Sequence, residues 1–232
     1  PARCSLTHTP LVDDAARWAA FCSSSGGWLP LICTMNCTVA TEAAMRIARL
    51  DRGGGDAAMA STAPGADGLV MLPFFNGERT PDLPEARGAV FGMDLHNTTP
   101  AHLYRAAMEG ATYSLRNGYD AFLEAGLTFD TIVLVGGGSR NAHWRQLIAD
   151  VFDLPVAVPA EAEGAAFGAA LQALWAWKQA QGDVVSLADV VDAHLHFDDA
   201  QSATPDQDRT RQYAAAYRRF QHHLQALVAA PT

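Results

Sequence analysis

Apolar residues occur first in short runs and then at helical spacing. RWAAFC at 17–22 and WLPLICTM at 28–35 flank the linker Ser23-Ser24-Ser25-Gly26-Gly27, a pattern that predicts two antiparallel strands and a turn. From Thr38 onward Ala40, Ala44, Ile47 and Ala48 share one face, which predicts a helix. Arg49 to Gly68 is rich in Gly, Ala, Ser and Asp, has no periodicity, and reads as a surface loop. LVMLPF at 69–74 is a buried apolar run, followed by an irregular stretch from Asn76 through Pro84 to Gly92. Thr99-Pro100 is an N-cap followed by proline at the first helical position, so a helix is expected to about Ala125, ending at Gly126.

A β–α–β–α alternation follows. TIVLV at 131–135 is a β-branched strand, Gly136-Gly137-Gly138-Ser139 a tight turn, and residues 141–152 a helix burying Trp144, Leu147, Ile148 and Val151. Val156–Val158 is a short strand, and Glu161 to about Gln179 a long helix. Strands alternating with helices of this length predict a largely parallel sheet with helices packed on it. The chain closes on a separate packing helix, about 205–229, in which Tyr213, Tyr217, Phe220, Leu224 and Leu227 form one apolar stripe.

Composition narrows the function classes. Of 232 residues 49% are hydrophobic and 18% charged, enough apolar material for a core. A formal net charge of −9 argues against a nucleic-acid partner. No run approaches the roughly 18–20 apolar residues that span a bilayer, so no membrane partner is expected. The opening PARCSLTHTP carries no charged-then-apolar leader and reads as a chain entered midway. Cys33 and Cys37 lack a second ligand pair for zinc. With Cys4 and Cys22 they read as reduced cytoplasmic thiols; a Cys22–Cys33 bridge across a hairpin is the alternative.

Three stretches carry candidate chemistry. In TIVLVGGGSRNAHWRQL a strand runs into three glycines and a helix begins near Asn141. Glycines let a flat or phosphorylated ligand lie against the backbone, and the helix start offers N–H groups and a positive dipole end to an anion. Ser139 or Asn141 could cap that helix. A dinucleotide fingerprint would need glycine at 141, where Asn stands, and no Gly-Lys-Ser/Thr follows to make a P-loop. A turn with purely structural glycines is the rival explanation when the segment is read alone. In the second stretch, 163–170, Gly164 and Gly168 share one helix face; this permits either tight packing within the domain or a crossing between two rocking lobes. The third runs from Gly88 through Gly92 to His102 and Glu109, and reads as a turn leading into a helix whose small residues face a neighbour, without an obvious catalytic group. His194, His196, His222 and His223 read as solvated, and Asp130 and Asp150 as carboxylates without an evident partner.

Taken together these stretches resemble the FGGY family of carbohydrate kinases. Gly88–Glu109 fits its carboxy-terminal signature, GGGSRNAHWRQLIADV at 136–151 is similar to the adenosine motif of actin-like ATPases, and EGAAFGAALQA at 163–173 is similar to the connecting motif that follows. PFFNGERTP at 73–81 with LPEARG at 83–88 is most like the xylulokinase branch. The resemblance implies an α/β chain of ribonuclease H-like (actin-like ATPase) fold, with residues 1–232 forming the carboxy-terminal, nucleotide-binding lobe of a two-lobe sugar kinase. It implies ATP and Mg²⁺ as cosubstrate and cofactor, the Mg²⁺ held mainly through ATP and the first lobe, and a ketose, most like D-xylulose, as acceptor. Gly137, Gly138, Ser139 and Asn141 would line the nucleotide pocket, and Gly164 and Gly168 would lie on the hinge helix. The first lobe, with the sugar site and the general-base Asp, is not in this sequence, so no catalytic residue and no metal ligand is assigned to the chain, which is expected to be inactive alone. Ribulose, rhamnulose, glycerol or gluconate as acceptor, an NAD-binding module, and a non-catalytic scaffold half remain as alternatives, and the oligomeric state, homodimer included, stays open.

Overall fold

A computed structural model describes residues 28–32, 52–78, 81–161 and 164–229. A parallel three-stranded sheet has β4 (Thr131–Val135) at its centre, β1 (Trp28–Ile32) on one side and β5 (Val156–Ala157) on the other. Trp28 pairs with Thr131 and Ile32 with Val135, while Ile132 pairs with Val156. Ile132, Val133 and Leu134 are buried in succession, as expected of a strand covered on both faces. A small antiparallel pair joins β2 (Val70–Leu72) to β3 (Ala89–Phe91), with Val70 opposite Phe91.

The hub of the core is helix α2 (Pro100–Glu124), packed by α1 (Arg52–Ser61), β2, α3 (Ala142–Phe152) and α6 (Gln207–Ala229). Thr99 caps α2 by accepting from the His102 N–H, Pro100 occupies its first turn, and Gly126 terminates it with φ +84°. From Tyr104 to Tyr113 every residue is buried, so this stretch is enclosed on all sides. Gly110 is required there: a Cβ would sit 2.2 Å from the Met71 carbonyl oxygen. The small-residue face expected for this helix therefore meets β2. Tyr213, Tyr217, Phe220 and Leu224 of α6 are buried as the stripe predicts, and Leu227 packs at the edge of the core. Tyr217 Oη donates to Asp120 of α2 at 2.7 Å, fixing the two helices together.

Several expectations change. Residues 49–68, read as a surface loop, contain α1 and a short 3-10 turn at Ala66–Gly68. Ala58, Met59 and Ala66 are buried. Three consecutive glycines hide the helix from propensity, but Gly55 lies where a Cβ would be 2.7 Å from the Tyr104 ring, so helix packing overrides local preference. Helix α4 (Gly164–Ala180) is followed by α5 (Leu187–His194), an element absent from the expected order; its start is signalled by a capping box between Ser186 and Asp189. Asp150 is buried and engaged: it accepts from the Asp206 N–H at 2.8 Å and lies 2.7 Å from Arg209 Nε, a charge contact rather than an aligned hydrogen bond. His223 is not free in solvent, because its ring stacks on Phe91 with centroids 4.2 Å apart. The strand at 28–32 is present, whereas its proposed hairpin partner at 17–22, the helix from Thr38 and all four cysteines lie outside the described residues.

Candidate functional site

The three glycines after β4 have three different duties. Gly136 has φ +87° and ψ −175°, a conformation open to glycine and costly for other residues. Gly138 makes room for a side chain: a Cβ there would lie 1.9 Å from Cζ3 of Trp144. At Gly137 a Cβ would meet nothing within 4 Å among the described residues, and the residue is exposed. Neither backbone conformation nor packing among the described residues asks for glycine at 137. What remains is an open backbone face, beside which helix α3 begins at Ala142 with its positive end toward the turn.

The turn is rigid. Ser139 is buried, and its Oγ donates to the Gly136 carbonyl at 2.7 Å while its own carbonyl accepts from Arg145 at 2.7 Å. The Trp144 indole N–H donates to Thr112 Oγ1 of α2 at 3.1 Å, tying the turn to the central helix. Asn141, not Ser139, is the cap: its Oδ1 accepts from the Trp144 N–H at 2.9 Å. Its Nδ2 donates to Asp56 Oδ1 of α1 at 3.0 Å. The structure therefore brings Gly137, Gly138, Ser139 and Asn141 together, with the Ser139 hydroxyl and the Gly138 side-chain position already committed internally.

Gly164 and Gly168 behave differently. A Cβ on Gly164 would be 3.5 Å from Val135, an ordinary contact, and one on Gly168 would meet nothing within 4 Å among the described residues. Among the described residues no helix crosses this face closely. Gly164 adjoins the last residue of β4, which places the start of α4 beside the glycine turn.

The signature stretch holds the neighbourhood in place. Glu109 Oε1 accepts from the Gly65 N–H at 2.9 Å, and His102 Nε2 lies 2.8 Å from Asp67 Oδ2. Asn97 donates to the Asp67 carbonyl at 3.1 Å. Arg105 donates to the Met59 carbonyl, to Thr62 Oγ1 at 2.6 Å and to Glu109 at 3.2 Å. All four side chains thus fix the C-terminal end of α1 and the turn after it. Burial pushes the Glu109 carboxyl up to about 7, against the opposing pull of Arg105 and the hydrogen bonds from Gly65 and Tyr113. An i,i+4 Arg–Glu pair looks the same on a solvated face, so the sequence pattern alone does not reveal this buried network. Among the described residues no three His, Cys, Asp or Glu side chains converge as a metal site. No described helix is long and apolar enough to cross a membrane.

The model for the FGGY family of carbohydrate kinases, C-terminal domain, matches residues 19–177. The chain belongs to the FGGY family. It is 41% identical over 224 residues to the xylulose kinase of Haemophilus influenzae, a match covering 96% of this chain and 44% of the relative. A gluconokinase of Bacillus subtilis is 37% identical over 118 residues, 49% of this chain and 22% of the relative. Among solved structures, the xylulose kinase of Rhodospirillum rubrum is similar at 28% identity with a TM-score of 0.66, covering 81% of this chain and 37% of that one. The fold is accordingly that of the carboxy-terminal domain of an actin-like sugar kinase, and this FGGY chain spans under half the length of the relatives just named.

Proposed function

We propose that this chain supplies the adenosine-binding half of an enzyme that transfers the terminal phosphoryl group of ATP to a ketose, D-xylulose giving D-xylulose 5-phosphate. The observation that carries the reading is the open face of Gly137, held between the end of β4 and the start of α3. Gly137 and Gly138 would offer main chain to the adenine and ribose, Ser139 would contribute through its rigid turn rather than its hydroxyl, and Asn141 would contribute at the pocket edge. A first lobe would bring the sugar and the general-base Asp. Mg²⁺ would arrive with ATP and be held chiefly from that lobe. Gly164 and Gly168 would lie at the contact on which the lobes rock, closure excluding the water that competes with the sugar. On this reading the chain alone does not phosphorylate sugar, and the enzyme works in the cytoplasm.

D-Xylulose rests on the similarity to the Haemophilus influenzae xylulose kinase over nearly the whole chain; the gluconokinase likeness makes gluconate the second reading. The test is ADP release by the full-length gene product with Mg²⁺-ATP and a panel of D-xylulose, D-ribulose, L-ribulose, L-rhamnulose, gluconate and glycerol. Preference for D-xylulose supports the proposal, preference for another acceptor keeps the kinase and discards the sugar, and silence across the panel favours a scaffold half.

A further inference from the structure

Asp56 is an exposed carboxylate with one oxygen occupied. Its Oδ1 accepts from Asn141 Nδ2 at 3.0 Å, and no hydrogen bond engages its Oδ2 among the described residues. Asn141 meanwhile is fixed at its other end as the cap of α3. The amide therefore turns its oxygen to the helix and its nitrogen to Asp56, which leaves one N–H and one carboxylate oxygen side by side at the edge of the glycine turn. That is a donor–acceptor pair matched to neighbouring hydroxyl groups, each of which both donates and accepts.

Asp56 is also held firmly. It sits one residue beyond Gly55, which lies against the Tyr104 ring, and on a helix whose far end is gripped by Arg105 through Met59 and Thr62. The turn after that helix is held by Glu109 at Gly65 and by His102 at Asp67. A surface carboxylate needs no such anchorage; one that must meet a ligand within a few tenths of an ångström does.

We propose that Asp56 binds the ribose of the nucleotide, Oδ2 accepting from a ribose hydroxyl while Asn141 holds Oδ1 and donates its remaining N–H to the neighbouring hydroxyl. The proposal rests on the nucleotide reading of the glycine turn. The carboxylate selects a ribonucleotide over a deoxyribonucleotide, and repels any nucleotide with a phosphate at that hydroxyl.

The experiment uses the full-length enzyme and compares KM and kcat for ATP, 2′-deoxy-ATP and 3′-deoxy-ATP in wild type, Asp56→Ala, Asp56→Asn and Gly137→Val, with thermal unfolding as a check of folding. The expected result is a preference of about tenfold in kcat/KM for ATP over at least one deoxy analogue, the value of one hydrogen bond to a charged group. Asp56→Ala raises the KM for ATP to that of the analogue with kcat within about twofold, erasing the preference, and Asp56→Asn, which keeps an acceptor, restores part of it. A wild-type preference that survives Asp56→Ala, an equal rise in KM for all three nucleotides, or no preference in wild type overturns the ribose contact. If Gly137→Val still raises the KM for ATP in those cases, the nucleotide site stands without Asp56. An ATP KM unchanged in Gly137→Val removes the nucleotide site, and the ribose contact with it.

Discussion

Arg105 and Glu109 stand one helical turn apart on α2, both buried, with Nη1 and Oε1 3.2 Å apart. The Arg105 guanidinium also donates to Tyr213 Oη at 3.0 Å, so this single pair joins α1, α2 and α6. Burial dominates the balance at Glu109 and raises its carboxyl from 4.5 to about 7. The folded chain thus holds this proton more tightly than the unfolded chain. Its stabilising contribution is complete below pH 4.5 and is lost as pH rises to about 7, with a magnitude on the order of 3 kcal/mol. Unfolding free energies of wild type and Glu109→Gln between pH 4.5 and 8 should show the wild-type advantage falling across that window. A constant difference would show that the carboxyl is not shifted.

Gly137 and Gly138 are adjacent and should respond in opposite ways. Gly138→Ala places a Cβ inside the space of Trp144, which is itself fixed by Thr112, and is expected to cost about 2–4 kcal/mol of stability. Gly137→Ala should change stability by less than about 0.5 kcal/mol, since its Cβ meets nothing among the described residues. Urea unfolding of both variants checks this, and equal destabilisation would mean that the turn, not Trp144, sets the requirement.

Asn141→Ala removes the cap of α3 and should cost about 1 kcal/mol. Asn141→Asp keeps the capping oxygen, so it retains the cap, but it sets a second carboxylate against Asp56 in place of a 3.0 Å hydrogen bond. The ATP KM of the full-length enzyme should therefore rise in both variants, while the cap loss appears in Asn141→Ala alone. A normal ATP KM in both would place the nucleotide away from Asn141.

Phe220 is fully buried in α6, tilted against Tyr113 with centroids 5.5 Å apart. Phe220→Ala should cost about 3–5 kcal/mol. Since α6 lies beyond the residues matched by the family's domain model, a loss below about 1 kcal/mol would show it to be an appendage rather than part of the core.

The legible parts of this chain were those set by local chemistry. Thr99-Pro100 and Gly126 marked both ends of α2, and the spacing from Tyr213 to Leu224 marked the buried face of α6. The glycine run after β4 was visible as a turn into a helix, and Asn141 as one of two candidate caps. What stayed hidden depended on tertiary partners. Gly53, Gly54 and Gly55 argue against a helix unless Tyr104 is known to press on the third of them. Gly138 and Gly137 read alike until Trp144 is seen to fill the space beside one and leave the other open. Glu109 and Asp150 look like ordinary surface carboxylates until burial is known, and Asp56 lies 85 residues from the asparagine it meets.

The central claim is that the nucleotide lies on the glycine turn. It is tested most directly by hydrogen exchange of the amides of residues 136–142 in the full-length protein, with and without saturating Mg²⁺-ATP. The expected result is slowed exchange across this segment on ATP addition, while the amides of α6 are unchanged. Unaltered exchange at 136–142, with ATP shown to be bound by an independent titration, would contradict it.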